Sequence, residues 1–268
     1  MNLRLFLQAR ALAFLRLQAK RRILNSSDEI PDVSPKRWPE SLRNPQQFYL
    51  ECFRYFHLAL PPQLREHRAY FARRKRGFGE DAFHVMWLLL FQEFRPGNFL
   101  EIGVYRGQVL SLVSLLAKLH GAKCDVHGIA PFSSHGDRVS KYRGGIDYYE
   151  DTLQNFEYFG LPKPNLLRAL STDKQALDLI SSRPWDMMYI DGSHDYEIAK
   201  KDWEVCARNV NPNGIIVLDD AGLTTVYRPS VLGTGGHPGP SQVAAEIKPD
   251  RFNEILQVGH NRVFQRLA

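Results

Sequence analysis

From Asn98 onward, short apolar runs alternate with stretches in which apolar residues recur at helical spacing. Runs near 98–103, 124–129, 165–169, 186–190 and 214–218 are brief and bounded by turn residues, as buried strands of a parallel sheet are. Helix-like stretches fall near 107–119, 147–159, 173–181, 195–208 and 241–247. Two last runs, near 252–258 and 261–266, predict a closing hairpin around Gly259-His260. Alternation of this kind predicts an α/β fold, doubly wound, with a mostly parallel sheet of seven strands.

The pattern before Asn98 is different. Residues 3–24 are rich in Leu, Ala, Arg and Gln, good helix formers, with no acid before Asp28. Leu3, Leu12, Leu15 and Leu17 scatter around the helical wheel, as do Arg4, Arg10 and Arg16, so no apolar stripe forms. Arg10 and Arg16 also interrupt any bilayer span, which needs roughly 20 apolar residues. Packing against another subunit is the first expectation for this segment and makes the protein a homo-oligomer. A peripheral membrane contact through residues 1–24 is the second, and a targeting presequence the third. Residues 25–45 carry four prolines and read as a linker. Helices are predicted over Gln46–Leu60, stopped by Pro61-Pro62, and over Glu80–Phe94, stopped by Arg95-Pro96-Gly97. The domain reading is a basic helical extension over 1–79 and a catalytic domain over 80–268.

Charge sharpens that division. Residues 1–80 hold 16 Lys/Arg and 7 Asp/Glu, while the other 188 hold 19 and 22, so the net +6 comes from the extension. A mildly acidic main domain carries no nucleic-acid footprint. Cys52, Cys124 and Cys206 are odd in number and widely spaced, unlike a disulfide framework or a zinc cluster. Buried thiols in a reducing, cytoplasmic setting are expected.

In open α/β sheets the ligand crevice lies outside the carboxyl ends of the strands. Three runs deliver polar residues there. The first strand ends in Glu101-x-Gly103-x-x-x-Gly107, where glycines let backbone approach a ligand and a helix N-terminus offers free N–H groups. The other two end in Asp191-Gly192-Ser193-His194 and in Asp219-Asp220. A nucleotide-like ligand beside a metal is the reading.

The Glu-x-Gly-x-x-x-Gly turn resembles the first motif of class I S-adenosylmethionine-dependent methyltransferases. Ile190-Asp191-Gly192-Ser193-His194-Asp195-Tyr196 and Asn213-Gly214-Ile215-Ile216-Val217-Leu218-Asp219-Asp220 narrow the resemblance to the branch of macrocin-type sugar O-methyltransferases and cephalosporin-hydroxylase-like proteins. It spans roughly residues 80–268 and implies a Rossmann-like methyltransferase fold. It also implies S-adenosylmethionine as cofactor, Mg²⁺ or another divalent cation held by Asp191, Asp219 and Asp220, and His194 as base. Glu101, Gly103, Tyr105, Gly107, Ser133, Ser171 and Asp191 are the expected cofactor contacts, and a sugar or glycosylated small molecule is the expected acceptor. The ligand set makes chemical sense, because Mg²⁺ takes oxygen donors and a cation-bound hydroxyl loses its proton more readily.

One position departs from the pattern. After the second strand such enzymes carry an acid for the ribose hydroxyls, and here Ala130 stands in that place, with Ser133, Ser134 and Asp137 the nearest replacements. Ser140, Tyr142, Arg143 and Tyr148 are expected to line the acceptor pocket. Gly222–Pro240, with five glycines and three prolines, is expected to form a lid.

Overall fold

The computed structural model describes residues 3–135 and 142–268, with backbone alone for residues 3–9 and Lys75. Its sheet has seven strands among these residues: β1 (Asn98–Ile102), β2 (Asp125–Ala130), β3 (Asn165–Arg168), β4 (Trp185–Ile190), β5 (Val210–Leu218), β6 (Phe252–Val258) and β7 (Asn261–Arg266). Their order across the sheet is β3-β2-β1-β4-β5-β7-β6. β1 to β5 are mutually parallel, and β7 runs antiparallel to both neighbours. The doubly wound, mostly parallel sheet expected from the alternating pattern is therefore present.

Period-two alternation sorts each central strand between two cores. Phe99, Met187, Tyr189, Ile215 and Val217 face one core. Leu100, Ile102, Met188, Ile190, Ile216 and Leu218 face the other. Both faces are covered, which explains runs that are apolar at every position. The first face is packed by α3 (Pro45–Leu58), α5 (Asp81–Phe94), α6 (Gln108–Leu119) and α7 (Tyr148–Tyr158). The second is packed by α8 (Lys174–Ser181), α9 (Tyr196–Asn209) and α10 (Pro238–Glu246).

The N-terminal region corrects one expectation. The proline-rich segment is structured: Val33 and Trp38 are buried, and α2 occupies Trp38–Arg43. Pro39 and Pro45 sit in the first turns of α2 and α3, where a missing N–H costs nothing. The backbone N–H of Gln257 in β6 donates to the buried Ser41 Oγ at 2.9 Å, tying α2 to the sheet edge. A further helix, α4 (Pro62–Ala72), follows the Pro-Pro pair and buries Leu64, His67 and Phe71. Its sparse apolar spacing concealed it in the sequence. By contrast, α1 (Leu3–Leu24) leaves Phe14 59% and Leu15 53% exposed, and its last residues Ile23 and Leu24 pack on the first core. No helix among the described residues is long and apolar enough to cross a membrane.

Candidate functional site

Strand order reverses between β1 and β4, and the ladder carries past both ends. Asp191 N–H donates to Ile102 O at 2.8 Å and Asp219 N–H to Ile190 O at 3.0 Å. These rungs set Gly103, Asp191 and Asp219 side by side on the rim. Gly103 has φ +101°, and a Cβ there would lie 1.8 Å from the Asp191 carbonyl oxygen. Only glycine lets the two strand ends touch.

A crevice of about 150 Å³ opens at this switch point, lined by Gly103, Tyr105, Ala130, Ser133, Ser171, Asp191 and Ser193 among others. A larger cavity of about 440 Å³ adjoins it, and Phe78, Tyr105 and Asp191 line both. Its walls are Phe83, Trp87, Val109, Leu112 and Tyr189, with Arg76 and Gln108 as polar members. On its floor stand Glu101, His194, Asp219, Asp220 and His260.

Of the expected cofactor residues, Gly103, Tyr105, Ser133, Ser171 and Asp191 line the crevice. Glu101 faces the larger cavity instead, where its Oε2 accepts from Leu110 N–H at 3.0 Å. Gly107 lines neither space and precedes α6 with Thr152 packed against it. Tyr142 lines the crevice. Arg143 and Tyr148 line neither space; the Arg143 N–H donates to the Tyr148 hydroxyl at 2.8 Å. Asp137 and Ser140 lie outside the described residues. Ala130 is buried at the rim and presents no polar side chain.

The floor is an array of acids and imidazoles. His194 Nε2 lies 2.7 Å from Asp220 Oδ2, and His260 Nε2 lies 3.2 Å from Asp219 Oδ1. Asp191 and Asp219 lie side by side on this floor, and their charges oppose one another. Burial and the Asp219 charge hold the Asp191 carboxyl well above the usual range. Burial is the largest influence on Asp219 and acts to raise it, but the His260 charge together with hydrogen bonding to its neighbours keeps that carboxyl below its ordinary value. Burial opposes the charged form of His260, yet Asp219 and Asp220 lift it to about 10. Glu101, 3% exposed, is pushed up to about 8 by burial, against the Leu110 N–H and with the Asp219 charge adding to the rise.

Sequence reasoning missed His260 and His237. His260 turns the β6–β7 hairpin, and because β7 pairs antiparallel to β5, that turn lands on the acids ending β5. Ala221 N–H donates to His260 O at 2.8 Å, locking the contact. His237 closes the glycine- and proline-rich segment. It follows Gly236, whose φ of +91° and close approach to Asp220 backbone exclude a side chain. That segment forms a wall of the cavity through Thr234 and His237 and is anchored by the buried Tyr227 against Tyr49. A lone histidine in a turn carried no signal until the topology was known.

Arg106 fixes the loop after β1 from behind. Its guanidinium donates to both Asp151 oxygens at 2.6 Å, and Asn155 Nδ2 donates to the Arg106 carbonyl at 2.9 Å. Thus α7 clamps the turn that shapes the crevice.

Residues 100–221 match the family model described as a methyltransferase domain. No curated protein sequence matches the chain. Similar solved structures include the SAH-bound methyltransferase PaMTH1 of Podospora anserina, 15% identical over 78% of this chain and 89% of that one, with a TM-score of 0.55. Another is an O-methyltransferase from Bacillus cereus in complex with SAH, 15% identical over 85% and 99%, with a TM-score of 0.54. The O-methyltransferase TomG from Streptomyces achromogenes, in complex with SAM, is 14% identical over 83% and 98%, with a TM-score of 0.50. The strand order, the crevice at its reversal and the match over residues 100–221 together make this a chain of the Rossmann-like methyltransferase fold.

Proposed function

We propose that the chain transfers a methyl group from S-adenosylmethionine to a hydroxyl of a sugar or glycosylated small molecule, with a divalent cation at the acids ending β5. The observation that carries this reading is the His194–Asp220 pair, 2.7 Å apart, on the floor of a cavity that shares a wall with the crevice. An acid–base pair thus lines the cavity open to an acceptor, and Asp191, Tyr105 and Phe78 border both that cavity and the crevice open to a donor. The sugar acceptor rests on the resemblance to macrocin-type enzymes. Aromatic walls with the polar Arg76 and Gln108 among them are consistent with it.

S-adenosylmethionine supplies an electrophilic methyl on a sulfonium, and a divalent cation supplies charge that acidifies a nearby hydroxyl. The chain's own residues do the rest. Asp220 orients His194 and stabilises the imidazolium formed when His194 accepts the acceptor's proton. Asp219 and Asp220 would hold the cation, Mg²⁺ on the sequence reading. The donor set fits, since Asp219 Oδ1 is buried without a well-formed hydrogen bond among the described residues. Burial raises the Glu101 carboxyl, which lessens the negative charge beside these acids. Ser133 and Ser171 offer hydroxyls to a nucleoside in the crevice, and positioning of the two substrates supplies much of the rate.

Ala130 favours a second reading, the same fold with another nucleotide or without catalysis. Calorimetry with S-adenosylmethionine, with and without Mg²⁺, separates the two, since no cofactor binding refutes the transferase. With binding established, methyl transfer to a panel of glycosides is followed as SAH release. His194→Ala should slow it by about 10²–10⁴-fold, the usual contribution of a general base, with cofactor affinity within about twofold of the parent. An unchanged rate removes His194 from the mechanism.

A further inference from the structure

The acids that end β5 are met by imidazoles from two sides. On one side, Asp219 Oδ1 and Asp220 Oδ1 lie 3.2 and 3.8 Å from His260 Nε2. On the other, Asp220 Oδ2 lies 2.7 Å from His194 Nε2 and 3.9 Å from His237 Nε2. In each triad one donor atom per residue falls within 4.8 Å of the others, and Asp220 belongs to both. Asp191, by contrast, joins neither triad.

Two features of His260 point to ligation instead of simple ion pairing. Its Nδ1 is held by Thr234, 3.1 Å from the carbonyl and 3.0 Å from Oγ1, which fixes the ring with Nε2 toward the acids. An imidazole anchored through one nitrogen to a carbonyl is the usual support for a ring that ligates through the other. Moreover, Asp219 Oδ1 is buried with no aligned hydrogen bond among the described residues, although His260 Nε2 is 3.2 Å away. Close approach without donor alignment is what converging lone pairs produce around a shared ion. Imidazole beside carboxylate suits zinc, cobalt or iron, whereas magnesium selects oxygen donors and waters.

We propose that Asp219, Asp220 and His260 form a mixed carboxylate–imidazole site for a divalent transition metal of the zinc–cobalt class, in preference to Mg²⁺. This rests on the proposed cation dependence, whose ligand set it changes, and not on methyl transfer. The full chain, stripped with chelator, is titrated calorimetrically with ZnCl₂, CoCl₂ and MgCl₂, and the Co²⁺ complex is followed by its visible absorption. Zn²⁺ and Co²⁺ should bind at least a hundredfold tighter than Mg²⁺. His260→Gln should weaken Co²⁺ at least tenfold and change its spectrum while leaving Mg²⁺ affinity within twofold. X-ray absorption of the zinc-loaded parent should show scattering from a single imidazole, readable even if the variant does not fold, whereas two imidazoles would place the ion on the His194–His237 side and overturn the proposal. Equal or tighter Mg²⁺ binding, no binding of any of the three metals, or an unaltered Co²⁺ spectrum in the folded variant overturns the proposal. SAH titrated into the stripped protein keeps the two readings apart. SAH binding without transition-metal preference sinks the metal site alone, and metal binding without SAH binding sinks the transferase alone.

Discussion

Replacing Gly103 by Ala tests whether contact between the ends of β1 and β4 shapes the crevice. The backbone there has φ +101°, a region that side-chain-bearing residues rarely occupy, which costs about 1–3 kcal/mol. The added Cβ would sit 1.8 Å from the Asp191 carbonyl oxygen and 2.3 Å from its carbonyl carbon. Those are backbone atoms held by the Asp191 N–H bond to Ile102, so they cannot swing aside. Overpacking of this kind costs roughly a further 1–3 kcal/mol. The total, about 2–6 kcal/mol if the two effects share little relaxation, is a large part of the 5–15 kcal/mol that roughly spans domain stability. Urea denaturation of parent and variant measures the loss, and calorimetry with SAH on the folded fraction measures the crevice. A lower midpoint with SAH affinity reduced more than tenfold is the expected outcome. A variant with the parental midpoint and SAH affinity within twofold would refute the reasoning, because the two strand ends would then have room to separate freely.

Arg106→Met should destabilise by about 3–5 kcal/mol in the same denaturation assay, because it removes the cation from the largely buried Asp151 carboxylate and leaves it the Asn155 Nδ2 bond at 3.0 Å. Replacing Asp151 with Leu as well should recover most of the loss, and a single-variant loss under about 1 kcal/mol would count against the clamp. Asp202, 1% exposed on α9, is pushed up to about 7 by burial, in spite of a hydrogen bond with Ser171. An acid raised in the folded state ionises first in the unfolded chain, so stability falls as pH climbs from about 4 to about 7 and stays lower above. Asp202→Asn removes that slope: thermal melting should show the variant more stable than the parent at pH 8 and nearly equal at pH 4. A less stable variant at pH 8 would show that the carboxylate is compensated there.

The sheet was legible because each central strand is buried on both faces, so its apolar run has clear ends and turn residues beyond them. Gly103, Asp191, Asp219 and Asp220 could be placed on one rim from that pattern alone, since parallel strands share an outlet. The direction of a side chain at the rim was not legible. Glu101 occupies the motif position but faces the larger cavity, because one step along a strand turns a side chain to the other face. His260 was seen only as part of a turn, since its value depends on β7 lying between β5 and β6, an arrangement invisible to local periodicity. The linker reading of residues 25–45 failed from Pro35 onward for a related reason. Prolines break helices in their interiors but start them at their first turns, and Pro39 and Pro45 do the latter.

The insertion of β7 between β5 and β6 has a consequence during synthesis. Before β7 emerges, β5 is an open edge whose Ile215-Ile216-Val217-Leu218 run offers unpaired backbone to any passing chain. Asp219 and Asp220 end that run with two adjacent carboxylates, and such charges beside an apolar strand act as gatekeepers against wrong pairing. The two carboxylates proposed to hold a cation would thus also guard the nascent chain from aggregation, and a neutral replacement at either should lower the yield of soluble protein.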